Sequence, residues 1–225
     1  MSRITRQQSS AAHDGLRERA VEFGVEALDE LDTLTLLLGR SIERGARTWA
    51  EVLLRRWSDL KSVLAADVED LAPIVGRQAA VDLKLLRDIN RRIAFGALKR
   101  SEVLSSSEAL RRYLCARLAD HPREQFRVLF LNKRNQLIRD ELMAEGTVDH
   151  APVYPREVVR RALQLSASAL VLVHNHPSGD PTPSAADVAM TKEVIQACTA
   201  LKVTVHDHVI VGAGQVSSMR SLGLI

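Results

Sequence analysis

Ala169-Leu170-Val171-Leu172-Val173-His174-Asn175-His176-Pro177-Ser178-Gly179-Asp180-Pro181-Thr182-Pro183-Ser184-Ala185-Ala186-Asp187 is the stretch on which the fold turns. Its first five residues are continuously apolar and bounded by polar chemistry, the pattern of a short buried strand. The strand runs straight into two histidines at i and i+2. On extended backbone such residues point to one side, so both imidazoles can reach one ion. A loop rich in Pro and Gly follows, and the helix predicted over Ser184–Leu201 brings Asp187 back over the strand end in its first turn. Imidazole nitrogen and carboxylate oxygen are good zinc ligands, and catalytic zinc usually takes three of them with water in the fourth position. His174, His176 and Asp187 are therefore predicted metal ligands. Taken alone, Ser184-x-x-Asp187 would read as a capping box entered through Pro183. The two upstream histidines turn that reading toward metal.

Outward from this stretch, strands and helices alternate. Phe126-Arg127-Val128-Leu129-Phe130-Leu131 is a β-type run ending in the turn signal Asn132-Lys133-Arg134-Asn135, with Gln136-Leu137-Ile138 as its partner. A further hairpin or crossover runs through Gly146. Pro155–Leu165 is predicted as an amphipathic helix carrying Val158, Val159, Ala162 and Leu163, and Val203-Thr204-Val205 and Val209-Ile210-Val211 add further strand. This order predicts an α/β or α+β domain over residues 101–225.

Toward the N-terminus the period is helical. Leu28, Leu31, Leu34, Leu37 and Leu38 recur at three- and four-residue spacing, as do Trp49, Val52, Leu53, Trp57 and Leu60, and periodic runs continue over Leu64–Leu71 and Ala79–Leu98. Residues 15–100 are predicted as a small all-helical domain, after a flexible tail over 1–14 that has little to bury. The serine-rich stretch Glu102–Ser107 reads as a linker or capping stretch before a helix over Glu108–Leu118.

Composition narrows the class. A hydrophobic share of 46% and a charged share of 26% exclude disorder over the whole length. The net charge is only +3, with 17 basic against 15 acidic residues in 1–100 and 14 against 13 in 101–225, so neither half is a strongly basic module. Cys115 and Cys198 are the only cysteines, too few for a disulfide framework. No stretch approaches the ~20 apolar residues of a membrane span, and the first twenty residues lack an apolar leader core, so a cytoplasmic setting without membrane contact is expected.

The residues around the two histidines resemble the RadC group of JAB/MPN-type proteins bearing the JAMM metalloprotease motif. That motif is an upstream glutamate, then His-x-His-Pro, six residues, and Ser-x-x-Asp; His174, His176, Pro177, Ser184 and Asp187 stand in register with it. The flanks match too, at Glu124–Leu131, Glu145-Gly146-Thr147, Tyr154–Val158 and Asp207-His208, so the resemblance covers residues 121–225. It implies a cytidine-deaminase-like α/β fold, a zinc ion with an activated water, Glu124 as general acid/base and Ser184 as a stabiliser of the oxyanion. It also implies a peptide or protein substrate cut at a peptide or isopeptide bond, with the substrate itself unidentified. Glu141, Glu145 and Glu157 are the rivals of Glu124. His206-Asp207-His208 is a second His-x-His, but without a downstream proline loop or aspartate it reads as supporting structure.

RadC-like proteins also carry a helix-hairpin-helix element whose Gly-x-Gly turn receives a DNA phosphate. The matching stretch, Leu71-Ala72-Pro73-Ile74-Val75-Gly76-Arg77-Gln78-Ala79-Ala80, keeps one glycine, with Ile74 where the first would stand. A β-branched residue disfavours positive φ, so the hairpin is degenerate and nucleic-acid binding is expected to be weak. Arg40, Arg44 and Arg47, and Arg87, Arg91 and Arg92, fall at helical spacing and could meet phosphates, although such charges are more often a solvated face. A zinc metallohydrolase is the leading reading, a nucleic-acid-associated repair or recombination protein the alternative, and an interaction module with an idle metal site the third. The oligomeric state is not legible.

Overall fold

A computed structural model of the chain describes residues 15–42, 44–100, 103, 107–146 and 153–225. The tail read over 1–14, the serines Ser105 and Ser106, and Thr147 lie outside these residues. The chain divides into two compact units, residues 1–89 and 90–225.

The first unit is helical. Residues 15–23 form α1, a 3-10 turn covers Val25–Ala27, and α2 (Glu30–Leu38), α3 (Ala46–Trp57), α4 (Leu60–Ala65), α5 (Val68–Val75) and the beginning of α6 (Arg77–Arg100) follow. Leu34, Leu38, Ala50, Leu53, Val63, Leu71, Ala80 and Leu83 form its core. Capping draws the boundaries. Asp29 accepts the Asp32 N–H at 2.7 Å to start α2, and Asp59 accepts the Ser62 N–H at 2.6 Å to start α4. The periodic run Trp49–Leu60 is therefore broken at Ser58-Asp59, where Ser58 takes φ 70°. The run Leu64–Leu71 is broken too, because Lys84 Nζ donates to the carbonyls of Leu64, Ala65 and Ala66 at 3.4, 3.0 and 2.7 Å and satisfies the end of α4. Arg87 Nη1 donates to Ala65 O at 2.9 Å, so this arginine serves a helix end. Between α5 and α6 only Gly76 takes positive φ, 82°; Ile74 sits within α5, and the turn asks no left-handed backbone of it.

The second unit is a mixed sheet between helices. Its strands are β1 (Gln125–Leu131), β2 (Leu137–Glu145), β3 (Ala169–Asn175), β4 (Thr204–Val211) and β5 (Val216–Ser218), in the order β2-β1-β3-β4-β5. β3 and β4 are parallel, joined through α9 (Ala185–Thr199), and the other pairs are antiparallel. β4 is one strand running through His206-Asp207-His208, where the sequence shows two apolar pieces separated by polar residues. Both β1 and β3 are buried along their whole length, as central strands covered on both faces must be.

Alternation sorts the side chains. Phe126, Val128, Phe130, Leu170 and Leu172 pack with Val158 and Ala162 of α8 (Pro155–Gln164) and Val194 and Cys198 of α9. Leu129, Leu131, Val171, Val173 and Val209 pack on the other face with Leu98 of α6 and Tyr113, Leu114 and Leu118 of α7 (Ser107–Leu118). At ~25 cal/mol per Å² of apolar surface removed from water, these two layers supply the main stabilisation of the unit. No helix among the described residues is long and apolar enough to cross a membrane.

Candidate metal centre

β3 delivers His174 at its C-terminal end, and the chain then turns through the Pro/Gly loop into α9. Crevices at the carboxyl ends of parallel strands are where open α/β sheets hold ligands. Three hydrogen bonds shape the loop: His176 N to Val211 O at 2.9 Å, Gly179 N to His176 O at 3.0 Å, and Ala213 N to Gly179 O at 2.9 Å. The loop lies so close to the end of β4 that a Cβ on Gly212 would come within 2.2 Å of Gly179 O and 2.8 Å of Pro181 Cδ. Gly212 therefore has a steric reason to be glycine.

The three predicted ligands come together. His174, His176 and Asp187 each offer a donor atom, and these atoms all lie within 4.8 Å of one another. His174 Nε2 is 2.9 Å from His176 Nε2 and 3.4 Å from Asp187 Oδ1, and His176 Nε2 is 3.6 Å from Asp187 Oδ2. A tetrahedral ion with bonds of about 2.0–2.1 Å separates its ligands by roughly 3.3–3.4 Å. Both carboxylate distances suit that spacing, and the imidazole pair needs only a few tenths of an ångström. Two nitrogens and one oxygen make a donor set that fits zinc better than the oxygen-seeking magnesium or calcium.

Tautomers are fixed from behind. His176 Nδ1 lies 2.7 Å from Asp180 O, a carbonyl that can only accept, so the ring proton sits on Nδ1 and Nε2 is left with its lone pair. His174 Nδ1 lies 2.8 Å from His208 Nε2, His208 Nδ1 lies 2.5 Å from Thr191 Oγ1, and Thr191 donates to Asp187 O at 2.6 Å. With the Thr191 hydroxyl hydrogen on Asp187 O, its shortest fixed acceptor, the direction propagates backward: Thr191 O–H to Asp187 O, His208 Nδ1–H to Thr191, and His174 Nδ1–H to His208. His174 Nε2 is thereby also bare. Burial first, and then the neighbouring His174, hold His208 well below the ordinary histidine range, as a neutral link requires.

The charges agree with this arrangement. The Asp187 carboxylate beside the ring, able to accept from the protonated form, raises the His176 pKa against burial, with help from the Asp180 carbonyl and the charge of Glu124. Burial pushes Asp187 upward, but the nearby rings of His174 and His176 and the hydrogen bond from Ser184 outweigh it and hold the carboxyl well below the usual range. A site that stabilises positive charge on His176 is one in which a dication could take the proton's place.

Ser184 and Asp187 do form the capping box of α9. Ser184 Oγ accepts the Asp187 N–H at 3.1 Å, while Asp187 Oδ2 accepts from Ser184 N at 2.8 Å and from its hydroxyl at 2.6 Å. The box and the metal reading coexist, since Oδ1 remains on the His174 side.

Glu124 precedes β1, half-buried, and its charge is felt at His176. Asn175 holds its segment: Oδ1 accepts the Gln125 N–H at 2.9 Å, and Nδ2 donates to Arg123 O at 3.0 Å and His121 O at 3.3 Å. The rivals are engaged elsewhere. Glu141 pairs with Arg161, Glu157 accepts from Arg160 at 2.8 Å, and Glu145 accepts from Gln125 at 2.9 Å. His206 Nε2 meets Asn135 Oδ1 at 2.8 Å, which ties β4 to the β1–β2 turn, and it is not part of the cluster. Asn175 and Thr191 were missed in the sequence. Their signals were a polar residue between two histidines at a buried strand end, and a hydroxyl one helical turn after Asp187.

The chain matches the model of the RadC-like JAB domain over residues 104–224. It is also similar to a UPF0758 protein of Ruegeria pomeroyi, with 47% identity over 213 residues, covering 93% of this chain and 95% of that protein.

Proposed function

We propose that this chain, which belongs to the RadC family, is a zinc-dependent hydrolase that cleaves a peptide or isopeptide bond in a peptide or protein substrate. The observation that carries the reading is the convergence of two bare Nε2 atoms and the Asp187 carboxylate on one point, with both Nδ1 atoms engaged behind them. The β3–α9–β4 unit, with its histidines at the strand end and its aspartate in the first helical turn, supports the cytidine-deaminase-like reading of the fold.

His174, His176 and Asp187 would hold the ion, and zinc so held brings the pKa of a coordinated water to about 7 and polarises a carbonyl. Glu124 takes the proton released as water attacks and returns it to the leaving nitrogen. Ser184 has one hydroxyl hydrogen, now given to Asp187 Oδ2. Donation to the oxyanion requires that hydrogen to swing from Asp187 to the substrate oxygen. A thiol nucleophile is a poor alternative, because burial pushes the Cys198 thiol up to about 11. Two cysteines that form no disulfide, Cys115 and Cys198, suit a reducing, cytoplasmic setting.

The alternative, a nucleic-acid-associated role, draws less support. Two of the arginines suggested for phosphate contact, Arg47 and Arg87, are engaged with Asp32 and with the end of α4.

Glu124→Gln tests the proposal. It preserves size and hydrogen bonding while removing the base, so zinc content stays at the wild-type level while turnover in an amide-substrate screen drops ~10²–10⁴-fold. Wild-type turnover in the variant moves the base to Glu141, Glu145 or Glu157. Loss of zinc instead gives Glu124 a structural role.

A further inference from the structure

The second unit has another concave site, on the face of the sheet turned away from the histidines. β1 and β3 pair Phe126 with His174 and Arg127 with Val173. Successive strand residues point to opposite faces, and Phe126 meets His208 edge-on at 5.7 Å, on the histidine side. Arg127 therefore projects from the other side. There it lines a cavity of about 520 Å³ formed by α6, α7, β1 and β2, within the ~300–1,000 Å³ of small-molecule sites.

Cations dominate the walls. Arg91, Arg92 and Lys99 come from one side of α6, Arg117 from α7 and Arg127 from β1, and the one acidic residue lining the cavity is Asp140. That carboxylate is already shared: it accepts from Arg127 Nε at 2.9 Å and from the Tyr113 hydroxyl. Arg127 and Asp140 are each 6% exposed, so the pair forms a rigid buried floor. Above it, Arg117 Nε is buried without a hydrogen-bond partner. The Arg117 guanidinium is disfavoured by burial first and then by the charges of Arg127 and Arg91. Like charges gathered in a partly desolvated hollow, with an unused donor among them, are the arrangement that an oxyanion relieves. Phe95 and Ile138 give the same hollow an apolar wall.

We propose that this cavity binds a small phosphate-bearing anion, gripped by Lys99 and Arg117 above the Arg127–Asp140 pair. The concave shape and modest volume favour a compact ligand over a nucleic-acid strand. The site is separate from the proposed metal centre and stands independently of the hydrolase reading.

Calorimetric titration of the full chain with inorganic pyrophosphate, and in parallel with ADP, tests it. Pyrophosphate is expected to bind with a Kd of about 1 mM or tighter. Lys99→Gln, on an exposed side chain, and Arg117→Gln should each weaken binding about tenfold, the loss of one charge-assisted hydrogen bond. Binding should persist after EDTA treatment, since the sheet separates the cavity from His174. ADP tighter than pyrophosphate identifies a nucleotide whose base rests on the apolar wall; equal affinities identify the phosphates alone, and both outcomes support the site. No binding of either probe, equal affinity in both variants, or loss of binding with EDTA overturns it. A single-stranded oligonucleotide that binds through Lys99 and Arg117 when pyrophosphate neither binds nor competes also overturns it.

Discussion

Asn175 Oδ1 accepts the backbone N–H of Gln125 at 2.9 Å, so the residue between the two candidate ligands fixes the residue after the candidate base. The same amide donates to Arg123 O at 3.0 Å, the carbonyl just before Glu124. One side chain thus clamps the backbone on both sides of Glu124, and it does so from the strand that carries His174. Catalytic groups need placement within a fraction of an ångström.

Asn175→Ala should retain zinc, because no ligand is removed, and should lower kcat more than it raises KM, because Glu124 is freed while the rest of the site persists. Three hydrogen bonds are lost, one buried and two partly buried, so a destabilisation of about 2–3 kcal/mol should accompany the change. Zinc analysis, a denaturant melt and steady-state kinetics separate the effects. Unchanged kcat would reduce Asn175 to a purely structural link.

Thr191→Val removes a hydroxyl at nearly constant volume and cuts the chain from His174 through His208 to Asp187 O. The His208 Nδ1–H is left without its acceptor, and His174 loses the partner that orients its ring. Loss of such outer hydrogen bonds typically costs 10–100-fold in metal affinity. Competition with a chromophoric chelator measures it. Equal affinity in the variant would mean that packing alone sets the His174 tautomer.

How far the sequence carries depends on the kind of interaction. The apolar run Ala169–Val173 announces β3 because a strand covered on both faces has no polar register, and His174, His176 and Asp187 are legible because their spacing is local. β4 runs on through His206, Asp207 and His208 although they interrupt its apolar pattern, and His208 is fully buried, bonded to His174 and Thr191. The split of the helical run at Ser58-Asp59 is made by the Asp59 cap, which apolar periodicity does not report, and the end of α4 depends on Lys84, some twenty residues away, which it cannot show. The tether from Asn175 to the segment at residues 121–125 spans fifty residues and becomes apparent only once β1 and β3 are paired.

His176→Ala should abolish the binding of about one zinc per chain, since a site with three protein ligands poorly tolerates the loss of one. His206→Ala should leave the metal in place and lower stability slightly, through the lost bond to Asn135. Elemental analysis of both variants decides. Zinc retained in the first and missing from the second would transfer the site to the other His-x-His.

The last test concerns the pair that engages Glu141, one of the rivals of Glu124. Arg161 on α8 donates Nε and Nη2 to the two carboxylate oxygens of Glu141 on β2, the first at 2.6 Å. This two-pronged bond holds the Glu141 pKa below its ordinary 4.5, against the opposing effect of burial. A carboxyl lowered by folding stabilises the protein above its unfolded-state pKa and loses that contribution as pH falls through the folded value. In Arg161→Gln the melting temperature should therefore lie furthest below wild type near pH 7, and the gap should close as the buffer is taken below 4.5. Because both side chains are partly exposed, the gap should also shrink in high salt. Thermal melts of wild type, Arg161→Gln, Glu141→Gln and the double variant from neutral to acid pH give the coupling directly. A gap that widens on acidification would mean that Arg161 acts through packing, and Glu141 would return as a candidate for proton transfer.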